Sequence, residues 1–301
     1  MERALAVLVV QAPSRSRKED PLPKLKLFIA GASALALLGG GAALAAGAQA
    51  SSLPRLPSLH GPDIHLQGHP AAATRGIPVQ QSGNWSGYVA VPTSGTTTTF
   101  KQIYAQYTVP SVNCTPSGSN NAFAYHWIGL DGWSDSTVEQ DGVAGFCNAG
   151  TPQYDAWWEM YPSGLQLAFV LNAGDAISSE VTYTSAGYTL SLTDETSKKS
   201  FKVTQACPSG STCENSSAED ITEGYATTGW VGTADFGQEF YNSTQVENSA
   251  GVLGALNNSA WSTDETVATD SSNEPITLPG QLYNGSVASR SAFEITWERL
   301  N

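Results

Sequence analysis

The chain has 301 residues with 27 Asp+Glu against 14 Lys+Arg, a formal net charge of −13. Residues 1–50 hold 6 of those bases and 3 of the acids, so the remainder carries 8 against 24 and a net charge of −16. A surface this acidic repels nucleic acid and anionic membranes and excludes both as partners.

Lys24 to Lys26 precede an uncharged run, FIAGASALALLGGGAALAAGAQA, which ends in Ala48-Gln49-Ala50 ahead of Ser51. A basic flank, a small apolar run and a small-x-small end form a secretory signal peptide, and no basic stop-transfer flank follows. Residues 1–50 are therefore expected to be removed and the product to be secreted, free of the membrane. The stretch ahead of Lys24 is long for such a signal, which leaves room for a start further in. Residues 51–82 read as a propeptide or a linker. They are rich in Pro and Ser, lack periodicity at first and carry His60, His65 and His69, three of the four histidines. As a propeptide, the segment would dock its histidines and arginines on the acidic domain until low pH protonates the imidazoles. This is the preferred reading of the two.

Residues 83–301 suit one β-type domain. Between Gln166 and Gln205 the chain reads QLAFVL, AISSEVTYT, YTLSLTDE and FKVTQ, separated by NAGD, SAG and TSKK. Val181 and Tyr183, then Tyr188, Leu190 and Leu192, then Phe201 and Val203 alternate with Ser, Thr and Lys. That is the period of half-buried strands. Ala292 to Trp297 alternates likewise, and only the stretch from Thr244 to Leu256 is expected to hold a short turn of helix. The pattern predicts an all-β sandwich of antiparallel sheets. Cys114, Cys147, Cys207 and Cys213 allow two disulfides in three connectivities. Cys207 and Cys213 flank PSGST, a natural local loop, and the preferred pairing leaves Cys114 with Cys147. A C-x₅-C spacing with one histidine left in the domain gives no zinc site, and no metal or cofactor is expected.

Elimination narrows the chemistry. His126 is the one histidine beyond residue 69; it sits among aromatics in AYHWIGLDG and reads as a core residue rather than a base. No G-x-S-x-G elbow, phosphate loop or H-E-x-x-H occurs. Carboxylates, amides and rings remain, concentrated in three segments: Trp127 to Val143 (WIGLDGWSDSTVEQDGV), Tyr154 to Pro162 (YDAWWEMYP) and Ser216 to Tyr225 (SSAEDITEGY). In YDAWWEMYP, Asp155, Trp157, Glu159 and Tyr161 fall on one face of a strand, with Trp158 and Met160 on the other. Acids mixed with rings make a poor core and a good cleft wall.

NWSGYVA, YTVPS, WIGLDG, the Gln of VEQDGV, DAWWEMYP, SAEDITEG and the DFG ending at Gly237 occur in this order. Together they resemble the glutamic peptidase (eqolisin) family, as a secreted member of the bacterial type. The resemblance implies a sandwich of two bent antiparallel sheets, similar to concanavalin and jelly-roll folds. It also implies a monomeric acid endopeptidase, insensitive to pepstatin, that acts on polypeptides. Gln140, nine residues after Asp131, corresponds to the family's catalytic glutamine, and Glu219 to its catalytic glutamate. Trp127, Asp131, Asp155, Trp157, Glu159 and Tyr161 correspond to its substrate-cleft residues. Glu223 is the rival for the glutamate role. Three positions depart from the family pattern. Asp220 replaces a tryptophan and puts an acid beside Glu219. Ala144 replaces an acid for which Asp141 is a candidate substitute. AGFCNAGTP (residues 144–152) lengthens the path to Asp155. Two other readings compete: a glycan-binding or glycoside-hydrolase sandwich, whose two acids would do the hydrolysis, and a peptidase-like protein without activity.

Overall fold

The computed structural model describes residues 56, 76–115, 120–285, 287 and 289–300, and the backbone of 71–74. The expected signal peptide lies outside the described residues. Eighteen strands make up the secondary structure of the described chain: β1 (Ala71–Thr74), β2 (Ile77–Ser82), β3 (Trp85–Val91), β4 (Phe100–Thr108), β5 (Phe123–Leu130), β6 (Val138–Asn148), β7 (Thr151–Tyr161), β8 (Gln166–Val170), β9 (Ala176–Thr184), β10 (Gly187–Asp194), β11 (Ser200–Gln205), β12 (Ala218–Glu223), β13 (Gln238–Asn248), β14 (Leu253–Gly254), β15 (Ser262–Ala268), β16 (Thr277–Pro279), β17 (Tyr283–Asn284) and β18 (Ser291–Trp297). They form two sheets. The first runs β1-β2-β15-β3-β12-β5-β6-β7-β8; the second runs β11-β10-β9-β4-β13-β18-β16, with β14 on β13 and β17 on β18. Pairing is antiparallel throughout except between β2 and β15.

The period-2 segments form the strands that their alternation predicts. β8 to β11 follow the predicted boundaries closely, with tight turns at the NAGD, SAG and TSKK junctions. Ile177, Val181, Tyr188, Leu190 and Leu192 point from β9 and β10 into the space between the sheets, where they meet Ile128, Val143, Ala156 and Met160 of the first sheet. The helical turn expected between Thr244 and Leu256 is absent. β13 continues to Asn248, whose side-chain carbonyl accepts the N–H groups of Ala250 and Val252 and turns the chain straight into β14. An Asn side chain that satisfies the backbone in this way favours a turn over a helix. Residues 77–82, expected outside the domain, form β2 and pair with β15 from Val79 to Ser82. Thr269 N–H donates to Ser82 O at 2.9 Å, so the segment continues the first sheet rather than linking to it.

Both disulfides take the preferred pairing, Cys114–Cys147 and Cys207–Cys213. The first ties the loop after β4 to the far end of β6. The AGFCNAGTP stretch is thus the β6–β7 hairpin, turned at Ala149 and Gly150, both with positive φ (48° and 81°). Such a pair is the backbone of a two-residue hairpin loop whose twist matches its strands.

The first sheet buries both faces. Its inner face packs on the second sheet. Its outer face carries a separate apolar cluster built from Trp85, Val89, Phe123, Tyr125, Trp127, Val138, Phe146, Trp157 and Ile221.

Candidate active site

Register places the predicted site residues in rows across the outer face of the first sheet. One row reads Val89, Glu219, Gly129, Gln140 and Glu159 across β3, β12, β5, β6 and β7. The next reads Gly87, Ile221, Trp127, Gly142 and Trp157. A third reads Trp85, Glu223, Tyr125, Ala144 and Asp155. Residues far apart in the chain become neighbours because each strand places every second side chain on this face.

Glu219 and Gln140 lie on either side of Gly129. With strands about 4.8 Å apart, their Cα atoms are separated by roughly 10 Å, and glycine leaves the gap open. A Cβ on residue 129 would lie 3.2 Å from Gln140 Cβ and 3.1 Å from Trp127 Cζ3. Gly142 makes room for β5 itself: a Cβ there would meet Trp127 Cβ at 2.7 Å and His126 O at 2.2 Å.

Gln140 Nε2 donates to Glu159 Oε2 at 3.0 Å. Gln140 Oε1, Glu159 Oε1 and both oxygens of Glu219 are buried without a hydrogen bond within the protein. Glu219 is fully enclosed, and burial holds its carboxyl well above the usual carboxylate range. Ser217 lies close enough to favour the charged form but out of hydrogen-bond alignment, while Asp131, Asp135 and Glu139 oppose it. Burial, with the charge of Glu223, pushes Glu159 up to about 8 against the pull of the Gln140 amide. Burial alone raises Asp155.

Glu223 is engaged differently. Asn84 Nδ2 donates to its Oε1 at 3.1 Å and Trp127 Nε1 to its Oε2 at 3.2 Å. Both oxygens are committed to the walls of the site, so Glu223 orients Trp127 while Glu219 keeps its acceptor capacity. Trp127 also packs edge-on against Trp85 with centroids 4.9 Å apart, and Tyr125 against Trp157 at 5.3 Å. Tyr161 and Asp155 sit half-buried at the ends of their rows. The expected division of YDAWWEMYP is borne out, since Trp158 and Met160 face the inter-sheet core.

Asp131 lies elsewhere. It follows β5 with φ 70°. Its two oxygens accept the backbone N–H groups of Asn215 (2.8 Å) and Ser216 (2.5 Å). It therefore ties β5 to the entrance of β12 and does not line the outer face. Asp220 and Asp141, each one position off the site's period, point inward, Asp220 to Thr244 and Asp141 to Ser179. Asp220 thus does not crowd Glu219, and Asp141 does not replace the acid missing at Ala144, which faces Asp155. His126 is a core residue, buried against Glu239, Thr222 and Phe236. No group of metal-ligating side chains occurs among the described residues.

Several contributors escaped the sequence reading. Phe123 and Tyr125 share the Trp127 face by the same period-2 rule, a signal that FAYHWIGL did contain. Asn84 and Gly129 had none; their roles depend on which strands become neighbours.

Among known proteins, the model of the Peptidase A4 family matches residues 83–277. Aspergillopepsin-2 of Aspergillus niger is 27% identical over 200 residues, covering 58% of this chain and 68% of its own length. Scytalidopepsin B of Scytalidium lignicola is 33% identical over 104 residues, 34% of this chain and 36% of its own. The structure of scytalido-glutamic peptidase with a transition-state analogue inhibitor superposes with a TM-score of 0.57 at 22% identity, over 72% of this chain and 98% of that one. That likeness extends to the two-sheet fold.

Proposed function

Because the chain belongs to the Peptidase A4 family and is therefore an endopeptidase, we propose that it cleaves polypeptides with Glu219 and Gln140 as its catalytic pair, outside the cell and in acid. The observation that carries the assignment is the row across β12, β5 and β6. It sets a fully buried carboxylate with no hydrogen bond and the carboxamide of Gln140 on either side of a glycine.

In the proposed reaction Glu219, ionised, takes a proton from a water molecule as that oxygen bonds to the scissile carbonyl carbon. The carbonyl π electrons move to oxygen, and the second N–H of Gln140 donates to the oxyanion. One such donor is typically worth ~3 kcal/mol, or 10²–10³ in rate. Glu219 then returns its proton to the amide nitrogen as the C–N bond breaks. Glu159 fixes the plane of the Gln140 amide through the 3.0 Å bond. Trp127, Trp157 and Tyr161 supply apolar surface for substrate side chains, with Asp155 and Tyr125 at the far row.

The full burial of Glu219 belongs to a covered site. Leu56 packs against the outer-face cluster, which supports assigning the stretch before β2 as a propeptide. While the site is covered, desolvation keeps Glu219 protonated and inert; once it is open, water solvates the carboxylate and lowers its pKa. Because β1 and β2 both belong to the sheet, maturation cuts upstream of Ala71. Two disulfides and the acid balance support secretion. Of the six N-x-S/T sequons, Asn84 and Asn215 are buried and bonded, leaving Asn113, Asn242, Asn257 and Asn284 exposed for glycans in a host that attaches them.

The test is digestion of denatured casein at about pH 3–4, where a carboxylate base and acid-favoured fold predict activity, with a pepstatin-type inhibitor present. Peptide release is expected from the wild type and not from Glu219→Gln, with Gln140→Ala slowed by 10²–10³. Near-normal release by either folded variant removes the assignment.

A further inference from the structure

Glu139 is an unexpected residue to find beside Gln140. It lies on the inner face of β6, fully buried, paired in register with Leu130 at the end of β5. Both its oxygens are buried without a hydrogen bond from a fixed donor, and the register sets it beside Asp131, the next residue along, whose carboxyl interacts with it. Asp131 in turn holds the N–H groups of Asn215 and Ser216, four and three residues before Glu219. The same junction is fastened by Asp131 N–H to Ser217 O (3.2 Å), by Ser216 Oγ to Asp135 (2.5 Å) and by Tyr188 Oη–H to Asn215 Oδ1 (2.9 Å).

We infer that Glu139 is a positioning residue that, as a protonated acid, hydrogen-bonds Asp131 and so holds the junction that aims Glu219, and that losing this proton loosens the junction. The inference about aim rests on Glu219 being the catalytic acid; the inference about the pair does not. Two buried carboxylates in contact cannot both be charged, and Asp131 already accepts two backbone N–H groups, which favour its anion. The proton therefore stays on Glu139. The titratable groups acting on the pair are Asp135 from the following loop, Glu219 from β12 and Tyr188 from β10, and none is a cation. In agreement, burial and the Asp131 charge push Glu139 up to about 10, and Asp131 rises to about 7 through burial and Asp135.

The sign follows. The pair keeps on Glu139 a proton that the unfolded chain releases near pH 4, so its contribution is full in acid and is lost as pH rises. Glu139→Gln keeps a hydrogen-bond donor for Asp131 but cannot ionise. Thermal unfolding of the mature protein is followed from pH 3 to 7 for the wild type and Glu139→Gln, both in a Glu219→Gln background that prevents autolysis. The midpoint of Glu139→Gln is expected to gain on the wild type as pH rises, by roughly 5–10 °C between pH 4.5 and 6.5. In the active background Glu139→Gln, which still offers Asp131 a donor, should keep kcat close to the wild-type value at pH 3.5, whereas Glu139→Leu, without a donor, should lose about tenfold in kcat while KM holds. A constant midpoint difference across the pH range overturns the proton-holding pair. If the midpoints behave as expected while kcat of Glu139→Leu is unchanged, the role in aiming Glu219 is overturned. If Glu219→Gln keeps full activity, only the catalytic assignment falls.

Discussion

Gly129→Ala adds a single methyl group between the two proposed catalytic side chains. The new Cβ would stand 3.1 Å from Trp127 Cζ3, 3.2 Å from Gln140 Cβ and 3.2 Å from Glu139 O. Each contact is a few tenths of an ångström inside normal packing, and one of the three is to backbone. Trp127 cannot retreat far, because its ring is held by Glu223 through Nε1 and by the edge of Trp85. Gln140 is the softer neighbour and must give way. Overpacking of this kind costs about 1–3 kcal/mol of stability, and a displacement approaching 1 Å in a reacting group costs about 10² in rate. The expected outcome is a folded protein whose melting point falls by about 2–10 °C. Its kcat should drop by about 10–100-fold, with little change in KM, because the outlying rows are untouched. Circular dichroism melts and casein digestion at pH 3.5 measure the two halves. A variant that melts as predicted and yet digests within threefold of the wild-type rate would show that the gap over residue 129 is not where the carbonyl sits.

Glu223→Gln keeps the shape but sets an amide NH₂ against a donor, Asn84 Nδ2 or Trp127 Nε1; it should cost about 1–3 kcal/mol in urea titrations and retain measurable peptidase activity. Loss as complete as in Glu219→Gln would reverse the roles of the two acids. Glu159, Asp141, Asp220 and Glu219 all have pKa values raised by burial, so the fold binds more protons than the unfolded chain above pH 4. The melting midpoint should therefore be highest in acid and decline steadily toward neutrality; a flat or rising profile contradicts this. By the chain-entropy relation, Cys114–Cys147, with 33 residues of separation, stabilises by about 4 kcal/mol and Cys207–Cys213, with 6, by about 2. Paired serine variants should rank in that order in denaturant midpoints.

Local rules carried the sequence reading a long way. Alternation in β9, β10, β11 and β18 and the turn residues between them located strands to within a residue or two, and the face of Trp157 and Glu159 followed from period 2 alone. What period 2 leaves open is which strands lie side by side. Asp131 stands in the most specific motif of the chain and was assigned to the cleft, yet it holds backbone N–H groups 84 and 85 residues away. Asp220 is adjacent to Glu219 in sequence, yet its carboxyl lies on the opposite face of the sheet. Residues 77–82 gave no strand signal because Pro78 and a short polar run mask one, and β15, their partner, begins 180 residues further on.

The acids enclosed between the sheets also bear on where the activity ends. A secreted catalyst usually spreads until it is diluted, inhibited or degraded. Burial raises the carboxyls of Asp141 and Asp220, so the fold loses stability as pH rises, and molecules that drift out of an acid zone weaken as they go. The buffering of the medium, rather than a dedicated inhibitor, would then draw the boundary of the digested region.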